Sequence, residues 1–190
     1  MSDLVNGILI IISAIYFILP AYIANGGALL CGGETPLDMN KTLNGKRLIG
    51  NGVTWRGFIG GTIAGTIIGG FLGVIGQVSG ITINQFCFGM ISPTVYGTVA
   101  SGLLLGFLLA FGALAGDAVG SFIKRRIGIN RGDSAPIMDQ LDFVVVAIIL
   151  SLLMVKLNIF FILLICVLTL VIHLGTNIGA YLLGLKEVWY

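Results

Sequence analysis

Five apolar runs dominate the chain, over about residues 4–24, 57–78, 96–116, 139–156 and 158–183. The first, second, third and fifth contain no Asp, Glu, Lys or Arg. About 20 such residues suffice for a helix to cross the hydrocarbon of a bilayer. In hydrocarbon every backbone N–H and C=O needs a partner within the protein, and a single run meets that demand as a helix. The expected fold is therefore all-α, a polytopic membrane protein with about five transmembrane helices and one integral domain over 1–190. Only 9% of the 190 residues are charged, against about 25% in a soluble domain. No basic residue precedes the first run, whose only preceding charge is Asp3. No small-residue cleavage site follows it cleanly, so it reads as a retained helix rather than a signal peptide. The fourth run is short. It spans only if its first turn carries Asp139 and Asp142 at the water boundary or in a polar cavity.

Basic residues set the expected orientation, because cytoplasmic connections collect Lys and Arg. Connection 25–56 holds Lys41, Lys46, Arg47 and Arg56, and connection 117–138 holds Lys124, Arg125, Arg126 and Arg131. Connection 79–95 has no charge. With five helices, both basic connections and the C-terminus fall on one side, leaving only Lys156 on the other. The expectation is a multi-pass protein of the cell membrane, N-terminus outside, with a polar site facing the cytoplasm.

Glycine recurs every fourth residue at 57, 61, 65, 69 and 73, and again at 102 and 106 and at 112, 116 and 120. Small residues at that spacing let helix backbones approach closely. The second and third helices are expected to pack against each other, or across a homodimer. Cys31, Cys87 and Cys166 are far apart and form no CxxC, so neither a zinc site nor a disulfide framework is expected. His173, the single histidine, lies in the last apolar run and reads as a packed residue.

Charge concentrates in residues 116–143, GDAVGSFIKRRIGINRGDSAPIMDQLDF, which hold eight of the eighteen charged residues. Asp139 and Asp142 are three apart and share a helix face. Ser134 and Pro136 just before them suit a helix start. Asp117, Ser121 and Lys124 or Arg125 share a face if the third helix continues beyond the membrane. Acids in a first turn also complement the helix dipole, and a basic cluster also serves topology and headgroup contact. Topology alone, however, calls for no acids. Hard Mg²⁺ is held by one or two carboxylates together with substrate phosphates, while hydroxyls and cations take phosphate oxygens. The set Asp117, Asp139 and Asp142 with these cations is the equipment of phosphoryl or nucleotidyl transfer, which works by positioning and neutralising charge. No GxSxG, Walker A or Cys–His pairing is present.

The order GD-x3-S-x2-KRR, then a basic residue and an acid, then P-x2-D-x2-D opening an apolar helix, resembles the CTP-dependent cytidylyltransferases of phospholipid synthesis. Pro136 is followed directly by Ile137, Met138 and Asp139, without the Gly/His-rich insert of bacterial and eukaryotic phosphatidate cytidylyltransferases. That compact form resembles the archaeal branch, the CDP-archaeol synthases. So do Asn25, ETPLD at 34–38, GKRLIG at 45–50 and TWRGFIGG at 54–61. Two departures stand out. Val53 occupies the place of the lysine in the family pattern G-K-T-W-R-G. Gln140 replaces an Arg that bacterial relatives often carry.

The resemblance implies CMP transfer from CTP to a lipid phosphate in the membrane, with pyrophosphate released. For the archaeal branch the acceptor is unsaturated archaetidic acid, an isoprenoid-ether glycerol-1-phosphate. It also implies roles. Asp117, Asp139 and Asp142 would hold Mg²⁺. Lys124, Arg125, Arg126 and Arg131 would neutralise phosphates, and Ser121 would contact one. Asp133 would assist the metal or orient Arg131. Thr54 and Arg56 would close the site, and Asn25 and Asp38 would recognise nucleotide or headgroup. A phosphatidate cytidylyltransferase acting on acyl lipids is one alternative. A small membrane transporter, with Asp139 and Asp142 near mid-membrane, is another. No nucleic-acid partner is expected.

Overall fold

The computed structural model describes residues 3–129 and 135–182. Five helices form: α1 (Asp3–Cys31), α2 (Trp55–Ser79), α3 (Val99–Ile127), α4 (Pro136–Ser151) and α5 (Ile159–Leu182). Helices α1, α2, α3 and the Ile159–Gly179 part of α5 are long and apolar enough to cross a membrane. Helix α4 has 16 residues. Their buried faces meet in a core that includes Phe17, Leu105, Leu109, Phe143 and Phe161.

The glycine periodicity becomes a packing surface. Helix α2 lies between α1 and α3. A methyl group on Gly69 would meet Gly106 Cα at 2.5 Å, so α2 and α3 touch backbone to backbone. Gly57 and Gly61 meet the α1 backbone at Ala28 and Ala24. On α3, Gly102 and Gly106 face α2, whereas Gly112, Gly116 and Gly120 face α4 at Ala147, Phe143 and Asp142. Without a hydrophobic force between helices in lipid, such close approach is what holds them together. The expectation that α2 and α3 pack against each other is met within one chain.

Several boundaries differ from the sequence reading. Helix α1 runs on to Cys31 rather than ending at 24, so Asn25 is helical. Asn-Gly-Gly at 25–27 reads as a stop because glycine is a poor helix former. Here Gly27 packs against Gly61 and Ala64 of α2, and tertiary contact outweighs propensity. The connection that follows is ordered. Strands β1 (Thr42–Leu43) and β2 (Lys46–Arg47) form an antiparallel hairpin, and Pro36 bridges to Thr54. Helix α4 starts at Pro136 and stops at Ser151, short of the expected 156. Lys156–Leu157 instead form β4, paired with β3 (Ile91–Ser92) in connection 79–95, which supplies the backbone partners a further helical turn would have given.

Helix α3 is capped at both ends. Thr98 and Ser101 form a capping box, and Gly128 in a left-handed conformation returns its N–H to Lys124 O. It thus extends one continuous helix through Asp117, Ser121 and Lys124.

Candidate active site

Asp117, Ser121 and Lys124 lie along the C-terminal third of α3, and Asp139 and Asp142 on the first turns of α4. The small residues Gly116 and Gly120 let the two helices close so far that a methyl group on Gly120 would run into the Asp142 carboxylate. Lys124 Nζ donates to Asp139 Oδ1 at 2.6 Å. Asp139 Oδ2 accepts from the Ala135 N–H at 3.1 Å. Asp142 Oδ1 accepts from the Phe143 N–H at 2.7 Å, but its Oδ2 is buried and has no hydrogen-bond partner among the described residues. Asp117, Asp139 and Asp142 with Lys124 lie within electrostatic reach of one another.

Asp117 also borders a small cavity of about 40 Å³ with Asn25 of α1, Val53, Thr54 and Leu114. Three stretches far apart in sequence, in α1, at the start of α2 and in α3, therefore converge beside it. Thr54 is the N-cap of α2, its hydroxyl accepting from the Gly57 N–H at 3.1 Å. The backbone beside it is fixed by Leu37 N–H donating to Val53 O and Trp55 N–H donating to Thr35 O.

Other candidates have different surroundings. Asp38 is buried and turned into its own loop. Its carboxylate accepts from Arg47 at 2.7 and 3.2 Å and from the N–H groups of Asn40, Ile49 and Gly50. Burial by itself would raise this carboxyl. The Arg47 guanidinium and the three N–H groups outweigh it and hold Asp38 well below the usual carboxylate range. Arg126 donates to the carbonyls of Leu43, Lys46 and Arg47 and lies over the Phe122 ring, so it staples the hairpin to α3. Arg125 Nη1 donates to Ile129 O at 2.7 Å. Arg56 lies in a crevice with Cys31, Trp55 and Ile59, not in the cavity beside Asp117. Arg131, Asp133 and Ser134 lie outside the described residues. The Arg126 staple places both basic connections at one end of the helix bundle.

The site has the equipment for a metal-bound phosphate. Among the described residues no three acidic, histidine or cysteine side chains form a ready-made metal cage. Mg²⁺ is usually completed by substrate phosphates and takes only one or two carboxylates from the protein. A buried carboxylate oxygen with no donor among the described residues, beside Asp117, fits that demand. Ordinarily such an oxygen is costly.

A CarS-like CDP-archaeol synthase family profile matches residues 7–190. The chain belongs to the CDP-archaeol synthase family. It is 49% identical over 190 residues to the CDP-archaeol synthase of Methanothermobacter thermautotrophicus, covering 100% of this chain and 99% of that one. It is 44% identical to that of Methanocaldococcus jannaschii over 95% of this chain and 98% of the relative. A solved intramembrane enzyme for archaeal membrane lipids biosynthesis superposes with a TM-score of 0.71 at 35% identity, over 88% of this chain and 94% of that one. The expected polytopic all-α membrane enzyme is thereby borne out, and so is the cytidylyltransferase family. In this CDP-archaeol synthase family member the compact P-x2-D-x2-D of α4 meets the GD-x3-S-x2-K of α3 at a single crossing.

Proposed function

We propose that the α3–α4 crossing transfers CMP from CTP to the phosphate of an unsaturated, isoprenoid-ether glycerol-1-phosphate lipid. The products are CDP-archaeol and pyrophosphate. The observation that carries this reading is the buried oxygen of Asp142 that has no hydrogen-bond partner among the described residues, beside Asp117 and the Lys124–Asp139 pair. That arrangement calls for a cation, and cations near it call for phosphate. Asp117, Asp139 and Asp142 would hold Mg²⁺, which when bound neutralises phosphate charge as it develops in displacement.

A lipid phosphate oxygen attacks the α-phosphorus of CTP. A P–O bond forms to it, and the bond from that phosphorus to the bridging oxygen breaks. The electron pair leaves with pyrophosphate. No general base is needed, since a phosphate monoester is largely ionised at neutral pH with a second pKa of about 6. Lys124, held on α3, supplies positive charge to the phosphates, and Ser121 one turn before it supplies a hydroxyl. The glycine contacts keep the two helices at a fixed separation, so little reorganisation accompanies reaction.

The positive-inside pattern of the two basic connections supports an orientation with this end of the bundle in the cytoplasm, where CTP is, and the N-terminus outside. Pyrophosphate release from CTP decides the reading, measured with geranylgeranyl-ether glycerol-1-phosphate and with diacyl phosphatidate as acceptors. Release that needs CTP, the ether lipid and Mg²⁺ together supports it. Equal rates with the acyl lipid would move the assignment to a general phosphatidate cytidylyltransferase. No release from folded protein would end it.

A further inference from the structure

Asp142 and Phe143 are neighbours on α4, and with about 3.6 residues per turn their side chains leave the helix about 100° apart. Whatever fixes the direction of one therefore fixes the other. Asp142 lies against Gly120 of α3. Phe143 is buried between two rings from other helices, Tyr22 of α1 at a centroid distance of 6.0 Å and His173 of α5 at 5.7 Å. Tyr22 is itself anchored. Its hydroxyl lies 2.9 Å from Thr169 Oγ1, and because the Thr169 hydroxyl donates to Ile165 O, Tyr22 is the donor of that bond. Thr169 is fully buried. It stands one turn before His173, on the same face of α5. Both α1 and α5 are long and apolar enough to cross a membrane. In hydrocarbon no water offers the Tyr22 hydroxyl another partner, so the bond fixes the ring in place.

This grip works against a force within the site. Gly116 and Gly120 bring α4 so close to α3 that Asp142 and Asp117 act on each other electrostatically, and two carboxylates repel. That repulsion turns α4 away from α3 unless the helix is held elsewhere. Resting on the reading of the site given above, we propose that Tyr22, Thr169 and His173 are positioning residues for the reaction. By holding the Phe143 ring they set the rotation of α4 that presents the Asp139 and Asp142 carboxylates to α3. The Phe143 N–H, on the same residue, then fixes Asp142 Oδ1 and leaves Oδ2 turned into the crossing. The face of α1 that carries Tyr22 reaches Asn25 one turn later, at the cavity beside Asp117. One hydrogen bond between α1 and α5 thus braces the helix that bears two of the three acids.

The test uses full-length protein in detergent, with Tyr22→Leu, Tyr22→Phe, Thr169→Val and His173→Leu. Gly69→Ala, which strains the α2–α3 contact instead, serves as the comparison. Thermal unfolding gives each Tm. Pyrophosphate release at saturating CTP and lipid gives the Mg²⁺ concentration for half-maximal rate. Binding of Mn²⁺ alone, an ion that carboxylates accept much as they do Mg²⁺, is followed by loss of the free-ion EPR signal. The expected result for Y22L and H173L is a roughly ten-fold rise in both the half-activating Mg²⁺ and the Mn²⁺ dissociation constant, as when the support behind a metal ligand is lost. Y22F and T169V keep the side-chain volume, and they carry the test if Y22L fails to fold. Each should show a smaller rise, and the double variant no more than either alone, because both remove the same bond. G69A should lose Tm and move neither constant. Unchanged metal constants in folded Y22F, T169V and H173L would overturn the proposal, and so would shifts in G69A as large as those in H173L. A wild type that neither releases pyrophosphate nor binds Mn²⁺ would instead break the underlying assignment of a metal to the three acids.

Discussion

Lys124 Nζ meets Asp139 Oδ1 at 2.6 Å across the α3–α4 crossing, joining the cationic and acidic halves of the site in one ion pair. The Asp139 side chain is 36% exposed and that of Lys124 13%. A partly solvated pair of this kind stabilises by about 0–1 kcal/mol. Its main effect is therefore on the chemistry. Lys124→Ala is expected to lower kcat/KM for CTP by about 100-fold while shifting Tm by only a few degrees. Pyrophosphate release and thermal unfolding in detergent read the two effects separately. A large Tm loss with a proportionate loss of rate would make the pair structural.

Asp142→Asn removes a charge from a buried oxygen that has no donor among the described residues. Leaving such a group unsatisfied costs about 1–3 kcal/mol, so the neutral amide is expected to hold or raise Tm. Turnover should vanish, because the amide cannot replace a carboxylate at a cation. Stability gained where activity is lost is the signature of a functional site. Wild-type turnover in this variant would remove Asp142 from the site.

Two glycine substitutions separate scaffold from site. In Gly69→Ala the new methyl meets Gly106 Cα at 2.5 Å, in the middle of the α2–α3 contact. Overpacking of this sort costs about 1–3 kcal/mol, and Tm should fall while the surviving protein keeps its KM values. In Gly120→Ala the methyl meets the Asp142 side chain itself. That variant should lose kcat in excess of its Tm change, since the carboxylate must shift. Equal behaviour of the two would mean that the spacing at Gly120 serves packing alone.

Much of this arrangement was legible in the sequence, because it rests on spacing. The four-residue glycine period and the D-x3-S-x2-K and P-x2-D-x2-D patterns translate directly into helix faces, and α3 and α4 present them as read. The polar connection was harder. The family resemblance of ETPLD at 34–38 implies a role for Asp38 in recognising nucleotide or headgroup. Its actual partners, Arg47 and the N–H groups of Ile49 and Gly50, depend on a turn that no periodicity announces. Arg126 sits in a basic run that looks uniform, yet a hairpin carbonyl cluster 79 to 83 residues away in sequence engages it, while Arg125 beside it faces a cavity. Side-chain direction at a helix end is set by what packs there. The early end assigned to α1 failed for the same reason, since Gly27 is favourable only against α2.

Asp38 gives a pH prediction. Its folded carboxyl lies below its ordinary value of 3.8, so it contributes stability that is present above that value and lost as pH falls through the depressed one. Between pH 8 and pH 5 the group stays ionised in folded and unfolded chains alike, and the hairpin connection should not change. Hydrogen exchange at the Ile49 and Gly50 amides should stay equally protected over that range once intrinsic rates are corrected, and weaken only below about pH 4. Asp38→Asn should loosen these amides at every pH. Protection lost between pH 7 and pH 5 would contradict the Asp38 assignment.

Val53 is 7% exposed and borders the cavity that Asp117, Asn25 and Thr54 share. It stands where the family pattern G-K-T-W-R-G has its lysine. Its backbone is anchored by the Leu37 N–H, so a longer side chain there starts from a fixed point and extends into the cavity beside Asp117. An ammonium would then join the acids at the crossing, paired with a carboxylate rather than buried alone. Valine offers the phosphates nothing. Val53→Lys is accordingly expected to raise kcat/KM for CTP, by about 100-fold if the ammonium acts as one preorganised donor to the charge that develops on the phosphates. The gain should appear mostly in kcat, since a contact made chiefly in the transition state leaves KM nearly constant. Side-by-side pyrophosphate-release assays of the two proteins, with CTP and the ether lipid each varied, measure that split. An unchanged rate in folded V53K would show that this wall of the cavity plays no part in phosphate chemistry. The site would then rest on the α3–α4 crossing alone.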